Sequence, residues 1–182
     1  MFILLAEDDE DDRQFFREAI ERMNLSTKLT MVTDGVYLID YLRNNPDNIP
    51  HLLFLDLNMP RKDGFECLRE IRNELKLIEL PIAIYSTSNA SMDMEEAFRL
   101  GANIYIRKPS SFDMLNKIVT KVISINWHYH NNGLNIKNFV LAVWNISMYQ
   151  HFLILFVNLT VEFLLLISNS EGCLFICNSM IQ

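Results

Sequence analysis

The sequence predicts an α/β fold in which a five-stranded parallel sheet is covered by helices on both faces. Through residues 1–126, short apolar runs alternate with longer segments whose apolar residues recur every three or four positions. Strands that are apolar throughout are typical of a parallel sheet buried on both sides, and the intervening helices supply its crossover connections. Half of the residues are hydrophobic, which is enough for a sizeable core.

The five strand–helix units follow one another along the chain. Apolar runs predict strands at residues 2–6, 29–32, 52–55, 82–85 and 103–106. Helical spacing of apolar residues predicts helices at 11–23, 36–42, 65–75, 94–100 and 112–122. Asp34 and Gly35 open the second helix, and Gly101 ends the fourth as a C-terminal cap.

Polar side chains follow four of these predicted strands. In a parallel sheet the carboxyl ends of the strands meet at one edge, where ligands bind near a switch in strand order. We therefore expect these side chains to converge. They are Glu7, Asp8 and Asp9 after the first strand, Asp56 after the third, Ser86 to Ser88 at the fourth, and Lys108 after the fifth.

This set of side chains suits phosphoryl transfer. Several carboxylates close together repel one another, and a cation relieves that repulsion. Hard oxygen ligands favour Mg²⁺, which bridges carboxylates to phosphates. Asp56 is a plausible nucleophile that would form an acyl phosphate, and Lys108 and the Ser86 hydroxyl could hold the phosphoryl oxygens. Each residue alone is more typical of a helix cap or a loop, so the prediction depends on their joint occurrence at strand ends.

At this point the sequence resembles the receiver domains of bacterial response regulators over residues 2 to about 125. The motifs that carry the resemblance are ILLAEDDEDD, LLFLDLNMPRKDGFE, LPIAIYSTS and LGANIYIRKP. The first motif is closest to that of small stand-alone receivers. The resemblance implies a receiver domain at residues 1–126 with a flavodoxin-like, doubly wound (βα)5 fold.

The resemblance also implies roles for the acidic residues. Asp56 matches the phosphoacceptor, and Glu7 and Asp8 match the acidic pair that binds Mg²⁺, with Asp8 as the more direct ligand. A shift of one position in the alignment would exchange Asp8 for Asp9. Asn58 matches the position whose backbone carbonyl completes the metal site.

Other roles carried by the resemblance concern activation. Lys108 matches the family lysine, and its bond to Pro109 is expected to be cis. Ser86 matches the switch hydroxyl that closes on the phosphoryl group. Tyr105 matches the aromatic switch residue that turns inward, although without the resemblance an ordinary half-buried strand tyrosine would be the favoured interpretation. Gly64 belongs to the turn after the third strand.

The implied function is signalling by a phosphorelay in the cytoplasm. A histidine kinase or a phosphotransfer protein would donate the phosphoryl group to Asp56. A downstream protein would then read the face formed by the fourth helix, the fifth strand and the fifth helix. The N-terminus lacks the basic start and long apolar run of a secretory signal, and three cysteines suggest no disulfide framework.

Two other classes of function fit less well. A hydrolase that uses Asp56 as its nucleophile would be expected to carry a second acid two residues later, where this chain has Asn58. A slow switch that resets itself is therefore expected rather than an enzyme. A DNA-binding regulator needs basic residues for phosphate contacts, but the net charge is −7 and residues 128–182 carry one lysine, Lys137. No nucleic-acid partner is expected.

Residues 127–182 form an apolar extension without a recognised output domain. From residue 128 onward the charged residues are Lys137, Glu162 and Glu171. The most apolar run, 152–167, is shorter than the roughly 20 residues that span a bilayer, which argues against a membrane anchor. Three interpretations remain open: a helix that packs on the receiver or on a partner, a membrane anchor, and the translation product of a frameshift with no selected function.

Overall fold

The computed structural model describes residues 1–23, 26–127 and 136–141. These residues belong to one compact unit, Met1–Ala142, whereas the second unit, Val143–Gln182, lies outside the described residues. The strands are β1 Phe2–Ala6, β2 Lys28–Val32, β3 Leu52–Leu55, β4 Ile82–Ser86, β5 Ile104–Arg107 and β6 Val140–Leu141. The helices are α1 Glu10–Arg22, α2 Gly35–Asn44, α3 Gly64–Asn73, α4 Ser91–Arg99, α5 Phe112–Ile123 and α6 Ile136–Phe139.

The strands form one parallel sheet in the order β2-β1-β3-β4-β5-β6. Helix α1 packs beside α5, while α2 packs beside α3 and α3 beside α4, which gives the sheet a helical layer on each face. Strands β1 and β3 are buried at every position, as their continuous apolar sequences predict. The predicted doubly wound α/β fold is confirmed.

The sixth strand was not predicted. Val140 and Leu141 of β6 pair with Tyr105 and Ile106 of β5, which would otherwise present unpaired backbone groups along the edge of the sheet. A two-residue strand has no recognisable period in the sequence, so tertiary pairing alone defines it.

Strand register brings the ends of the central strands level with one another. Ala6 of β1 lies beside Leu55 of β3, and Ser86 of β4 lies beside Arg107 of β5. The chain leaves β1 for β2 on one side and returns to β3 on the other. The carboxyl ends of β1 and β3 therefore flank the switch in strand order, which is where open α/β sheets bind their ligands.

Aromatic packing fixes helix α1 over the centre of the sheet. Phe16 is fully buried, and its ring meets that of Phe54 edge-on at a centroid distance of 4.7 Å and that of Tyr85 at 5.9 Å. Such edge-to-face pairs stabilise a specific orientation of the helix on the sheet. They hold the first turn of α1, which is acidic, at the carboxyl ends of the strands.

Two further expectations can be compared with the structure. The bond between Lys108 and Pro109 was expected to be cis, but every described peptide bond is trans, and the trans form is the intrinsically favoured one before proline.

In the described part of the chain, no helix is both long and apolar enough to cross a membrane. The candidate anchor at 152–167 lies outside the described residues.

Candidate functional site

The ends of β3 and β5 bring Asp56 and Lys108 together. The backbone N–H of Asp56 donates to the carbonyl of Ala6 at 3.0 Å, and that of Lys108 donates to the carbonyl of Ser86 at 2.8 Å. These bonds continue the sheet by one residue beyond the strands. The two side chains then meet, with Lys108 Nζ 3.0 Å from Asp56 Oδ2.

The Lys108 ammonium is shared among three carboxylates. Besides Asp56, it lies 2.7 Å from Glu7 Oε2 and 2.8 Å from Asp12 Oδ2. The lysine side chain is 9% exposed, so these interactions are screened less than surface ion pairs. Sequence reasoning missed Asp12. It stands four residues after Asp8 in a predicted helix start, and that spacing of one helical turn could have indicated it.

Three carboxylates form a compact acidic cluster beside the lysine. One oxygen from each of Glu7, Asp8 and Asp56 can be chosen so that all three lie within 4.8 Å of one another. Glu7 and Asp56 are buried and Asp8 is exposed. Oxygen-only donors with one side open to water suit a hard cation such as Mg²⁺, which keeps several of its waters. The residues present therefore fit a divalent cation.

The turn between β1 and α1 gives Asp8 and Asp9 different roles. Asp9 is the N-cap of α1, and its side chain accepts a hydrogen bond from the backbone N–H of Asp12 at 2.9 Å. Arg13 donates to the carbonyls of Glu7 at 2.9 Å and Asp8 at 2.6 Å, which fixes the turn. Asp9 is thus engaged as the helix cap, and Asp8 is the aspartate of this turn whose carboxylate lies with those of Glu7 and Asp56.

Burial and charge act in opposite directions at this site. Burial raises the pKa of Glu7 from 4.5 to about 7, although the hydrogen bond from Lys108 lowers it. Burial by itself would lower the pKa of Lys108. Hydrogen bonds to Asp12 and Glu7 and the negative charge of Asp56 outweigh that effect and raise this pKa above its usual value. The lysine thus stays charged and partly compensates the acidic cluster.

The loop after β3 holds the other oxygen of Asp56. The backbone N–H of Asn58 donates to Asp56 Oδ1 at 3.2 Å, and the side chain of Asn58 is exposed. Gly64 begins α3 directly against this strand end. A Cβ atom at Gly64 would lie 2.3 Å from the Asp56 carbonyl oxygen and 2.7 Å from the Leu57 Cα, so only glycine allows this close approach.

The predicted switch residues Ser86 and Tyr105 lie on the neighbouring strands β4 and β5. Both are fully buried. The Ser86 hydroxyl accepts a hydrogen bond from the backbone N–H of Ser88 at 3.3 Å, and the Tyr105 hydroxyl donates to the carbonyl of Ser88 at 3.1 Å. The structure therefore connects the tip of β4 to the tyrosine ring.

The residues predicted from the sequence fall into two groups in the structure. Close contact joins Glu7, Asp8, Asp56 and Lys108, while Asn58 contacts Asp56 through its backbone. Ser86 and Tyr105 form the second group, on strands β4 and β5 beside this cluster.

Comparison with known proteins identifies a family. The family model described as the response regulator receiver domain matches residues 3–120. The response regulator Rcp1 of a Synechocystis strain is 31% identical over 128 residues, covering 67% of this chain and 86% of Rcp1. The probable methanogenesis regulatory protein FilR2 of Methanothrix harundinacea is 31% identical over 123 residues, covering 66% of this chain and 79% of FilR2.

Solved structures agree with the sequence comparison. The Mn²⁺-bound form of Rcp1 superposes with a TM-score of 0.62 at 30% identity, covering 68% of this chain and 92% of that one. The phosphorylated cyanobacterial phytochrome response regulator RcpA gives a TM-score of 0.62 at 33% identity, covering 66% of this chain and 89% of that one. The chain therefore belongs to the response regulator receiver domain family, whose members act in two-component phosphorelay signalling.

Proposed function

We propose that this protein is a phosphorylation-controlled switch in which Asp56 accepts a phosphoryl group. The observation that carries the proposal is the contact of Asp56 with the buried Lys108 ammonium, within an acidic cluster that fits a divalent cation. The receiver comprises residues 1–126, and a histidine kinase or a phosphotransfer protein supplies the phosphoryl group. The similar response regulator RcpA was solved in a phosphorylated form, which supports this assignment.

The proposed reaction is an in-line displacement at phosphorus. A carboxylate oxygen of Asp56 attacks the phosphorus of a phosphohistidine, an O–P bond forms, the N–P bond breaks, and the imidazole leaves. Lys108 neutralises negative charge on the phosphoryl oxygens from its position 3.0 Å from Asp56 Oδ2. The Asn58 N–H, 3.2 Å from Oδ1, holds the carboxylate in place during the attack.

Glu7, Asp8 and Asp56 are the residues that would hold Mg²⁺, and the backbone carbonyl of Asn58 is proposed as a further ligand. When bound, the ion would supply positive charge to offset the repulsion between carboxylate and phosphoryl oxygens. The similar protein Rcp1 was solved with Mn²⁺ bound, which supports a divalent cation here. Glu7 is fully buried beside Lys108 and does not face solvent. Its proposed role is to orient the Lys108 ammonium and to balance its positive charge.

The proposed output is a change on the face formed by α4, β5 and α5. A phosphoryl group on Asp56 offers a new acceptor to the Ser86 hydroxyl, which in this structure accepts from the Ser88 N–H. Movement of the β4 tip would alter the bond from Tyr105 to Ser88 and thereby the surface of β5. A downstream protein then distinguishes two packings of this face, which is a population shift driven by local charge. The proposed location of this signalling is the cytoplasm.

Intact mass spectrometry tests the central step. The wild-type chain, incubated with acetyl phosphate and Mg²⁺, should gain the mass of one phosphoryl group, and Asp56→Asn should gain none. Asp40→Asn, which changes an exposed aspartate on α2, is the matched control and should gain the group as wild type does. Equal phosphate incorporation by Asp56→Asn and wild type would refute the assignment of the acceptor.

A further inference from the structure

Residues 136–141 lie along the edge of the sheet that β5 would otherwise leave open. Val140 and Leu141 pair in parallel with Tyr105 and Ile106, and the short helix α6 contacts both α4 and β5. These residues follow α5 in the sequence and add a strand beyond the five that the family pattern predicts. We call residues 136–141 the edge segment.

Phe139 anchors the edge segment in the core. Its side chain is fully buried, and its ring meets that of Phe98 on α4 at a centroid distance of 5.2 Å and that of Tyr105 at 6.2 Å, both edge-on. The ring therefore fills a space between α4 and β5. A ring buried in this way stabilises the docked segment through apolar area and aromatic geometry together.

The docked segment covers part of the surface that the proposed function assigns to the downstream partner. It uses the backbone groups along β5 that an incoming strand would pair with. Through Phe139 it also fills the aromatic-lined space between Phe98 and Tyr105. A partner and the edge segment cannot occupy this surface at the same time.

We propose that the edge segment is an intramolecular ligand that blocks the α4–β5 surface. The surface fits a segment in which an aromatic residue at the end of a short helical turn is followed by a β-branched residue that begins a strand, since Phe139 ends α6 and Val140 begins β6. A partner of this kind binds only when the segment leaves. The inference rests on the proposed function in one respect, namely that a downstream protein uses this face.

A labelled peptide with the sequence of residues 134–142, LNIKNFVLA, is the probe. Its binding to full-length protein is followed by fluorescence anisotropy. Two variants should release the segment by different means. Phe139→Ala removes the buried ring, and Val140→Pro removes a backbone donor from the added strand. Phe15→Ala is the matched control because it truncates a half-exposed aromatic ring on α1.

The apparent affinity for the peptide depends on the fraction of protein whose surface is open. If the segment is docked about nine-tenths of the time in the wild type, each releasing variant should bind the peptide roughly tenfold more tightly than wild type and Phe15→Ala do. A peptide in which alanine replaces the phenylalanine should bind all four proteins weakly. Tight binding to either releasing variant supports the proposal, so a folding failure in one leaves the other decisive.

Equal binding of the peptide to all four proteins would overturn the proposal, as would equal binding of the two peptides. Phosphate incorporation from acetyl phosphate is measured on the same samples. Absence of incorporation in the wild type contradicts the phosphoacceptor assignment, whereas the peptide result judges the edge segment alone.

Discussion

At the scale of single residues, the site places one buried ammonium group, that of Lys108, among several carboxylates. Lys108 lies within 3.0 Å of oxygens from Glu7, Asp12 and Asp56. Removing one partner of a buried ion pair leaves an uncompensated charge, which costs far more than breaking a pair at the surface. Burial disfavours the charged form of Glu7, which is fully buried and whose pKa is raised to about 7.

The raised pKa of Glu7 predicts a specific dependence of stability on pH in the absence of metal. The folded protein keeps the Glu7 proton up to about pH 7, whereas the unfolded chain releases it near pH 4.5. The folded state therefore binds more protons in this window, and the free energy of unfolding falls as the pH rises through it. Between pH 5 and pH 8 this group alone should lower the free energy of unfolding by roughly 2–3 kcal/mol.

Glu7→Gln should remove this contribution because glutamine has no proton to lose in the window. Urea unfolding in the presence of EDTA at pH 5 and pH 8 measures the change. The control Glu21→Gln, at an exposed position on α1, should lose as much stability as wild type over the same range. A Glu7→Gln protein with the full wild-type pH dependence would contradict the assignment of the raised pKa.

At the scale of secondary-structure elements, side-chain caps begin α1, α2 and α3, and a single arginine on α3 binds the loops that precede β4 and β5. Asp63 and Glu66 form a reciprocal capping box at the start of α3. Near the other end, the Arg72 guanidinium donates to four acceptors. They are the carbonyls of Leu77, Leu80 at 2.9 Å and Gly101 at 3.0 Å, and Asn103 Oδ1 at 3.1 Å.

Arg72→Met should therefore lower the free energy of unfolding by about 2–4 kcal/mol, because several partly buried acceptors lose their donors together. Arg72→Lys should recover only part of the loss, since one ammonium cannot reproduce the planar fork of donors. Chemical denaturation checks both. Arg69→Met is the control. It breaks a surface ion pair with Glu96 and should cost less than about 1 kcal/mol. Equal losses of unfolding free energy for Arg69→Met and Arg72→Met would show that the hydrogen bonds of Arg72 add no more stability than a surface ion pair does.

Most elements could be predicted from the sequence because their signals are local. The strand at Leu52–Leu55 and the Gly101 cap, with its φ of 87°, were predicted where the structure has them. Strand β6 could not be predicted in this way. It consists of two residues whose conformation depends on the edge of β5, which is more than 30 residues away in the sequence.

At the scale of the whole molecule, the phosphoacceptor site and the edge segment are separate in sequence. Every residue proposed to act in phosphoryl transfer lies between Glu7 and Lys108, whereas the edge segment, which pairs with β5, begins at Ile136. The two are joined through β5, which carries Tyr105 near its centre and precedes Lys108. Removing the segment should leave the chemistry intact and expose the edge of the sheet.

A comparison of two shortened chains tests this separation. Chains ending at Trp127 and at Ala142 should both gain one phosphoryl group from acetyl phosphate and Mg²⁺. The chain ending at Trp127 should self-associate more strongly, because β5 and the ring of Phe98 lose their cover. Intact mass spectrometry and light scattering after size exclusion measure the two effects. Phosphate uptake by the longer chain alone would show that the segment takes part in the chemistry.

The sequence by itself determined the alternation of strands and helices and the identity of the residues at the strand ends. These features follow from side-chain periodicity and from the chemistry of neighbouring residues, which act over a few positions. Only the tertiary structure decided that Asp12 joins Lys108, 96 residues away, and that Phe139 packs against Tyr105. Contacts of this kind depend on strand order and on the rotation of each helix over the sheet, and no short stretch of sequence encodes either one.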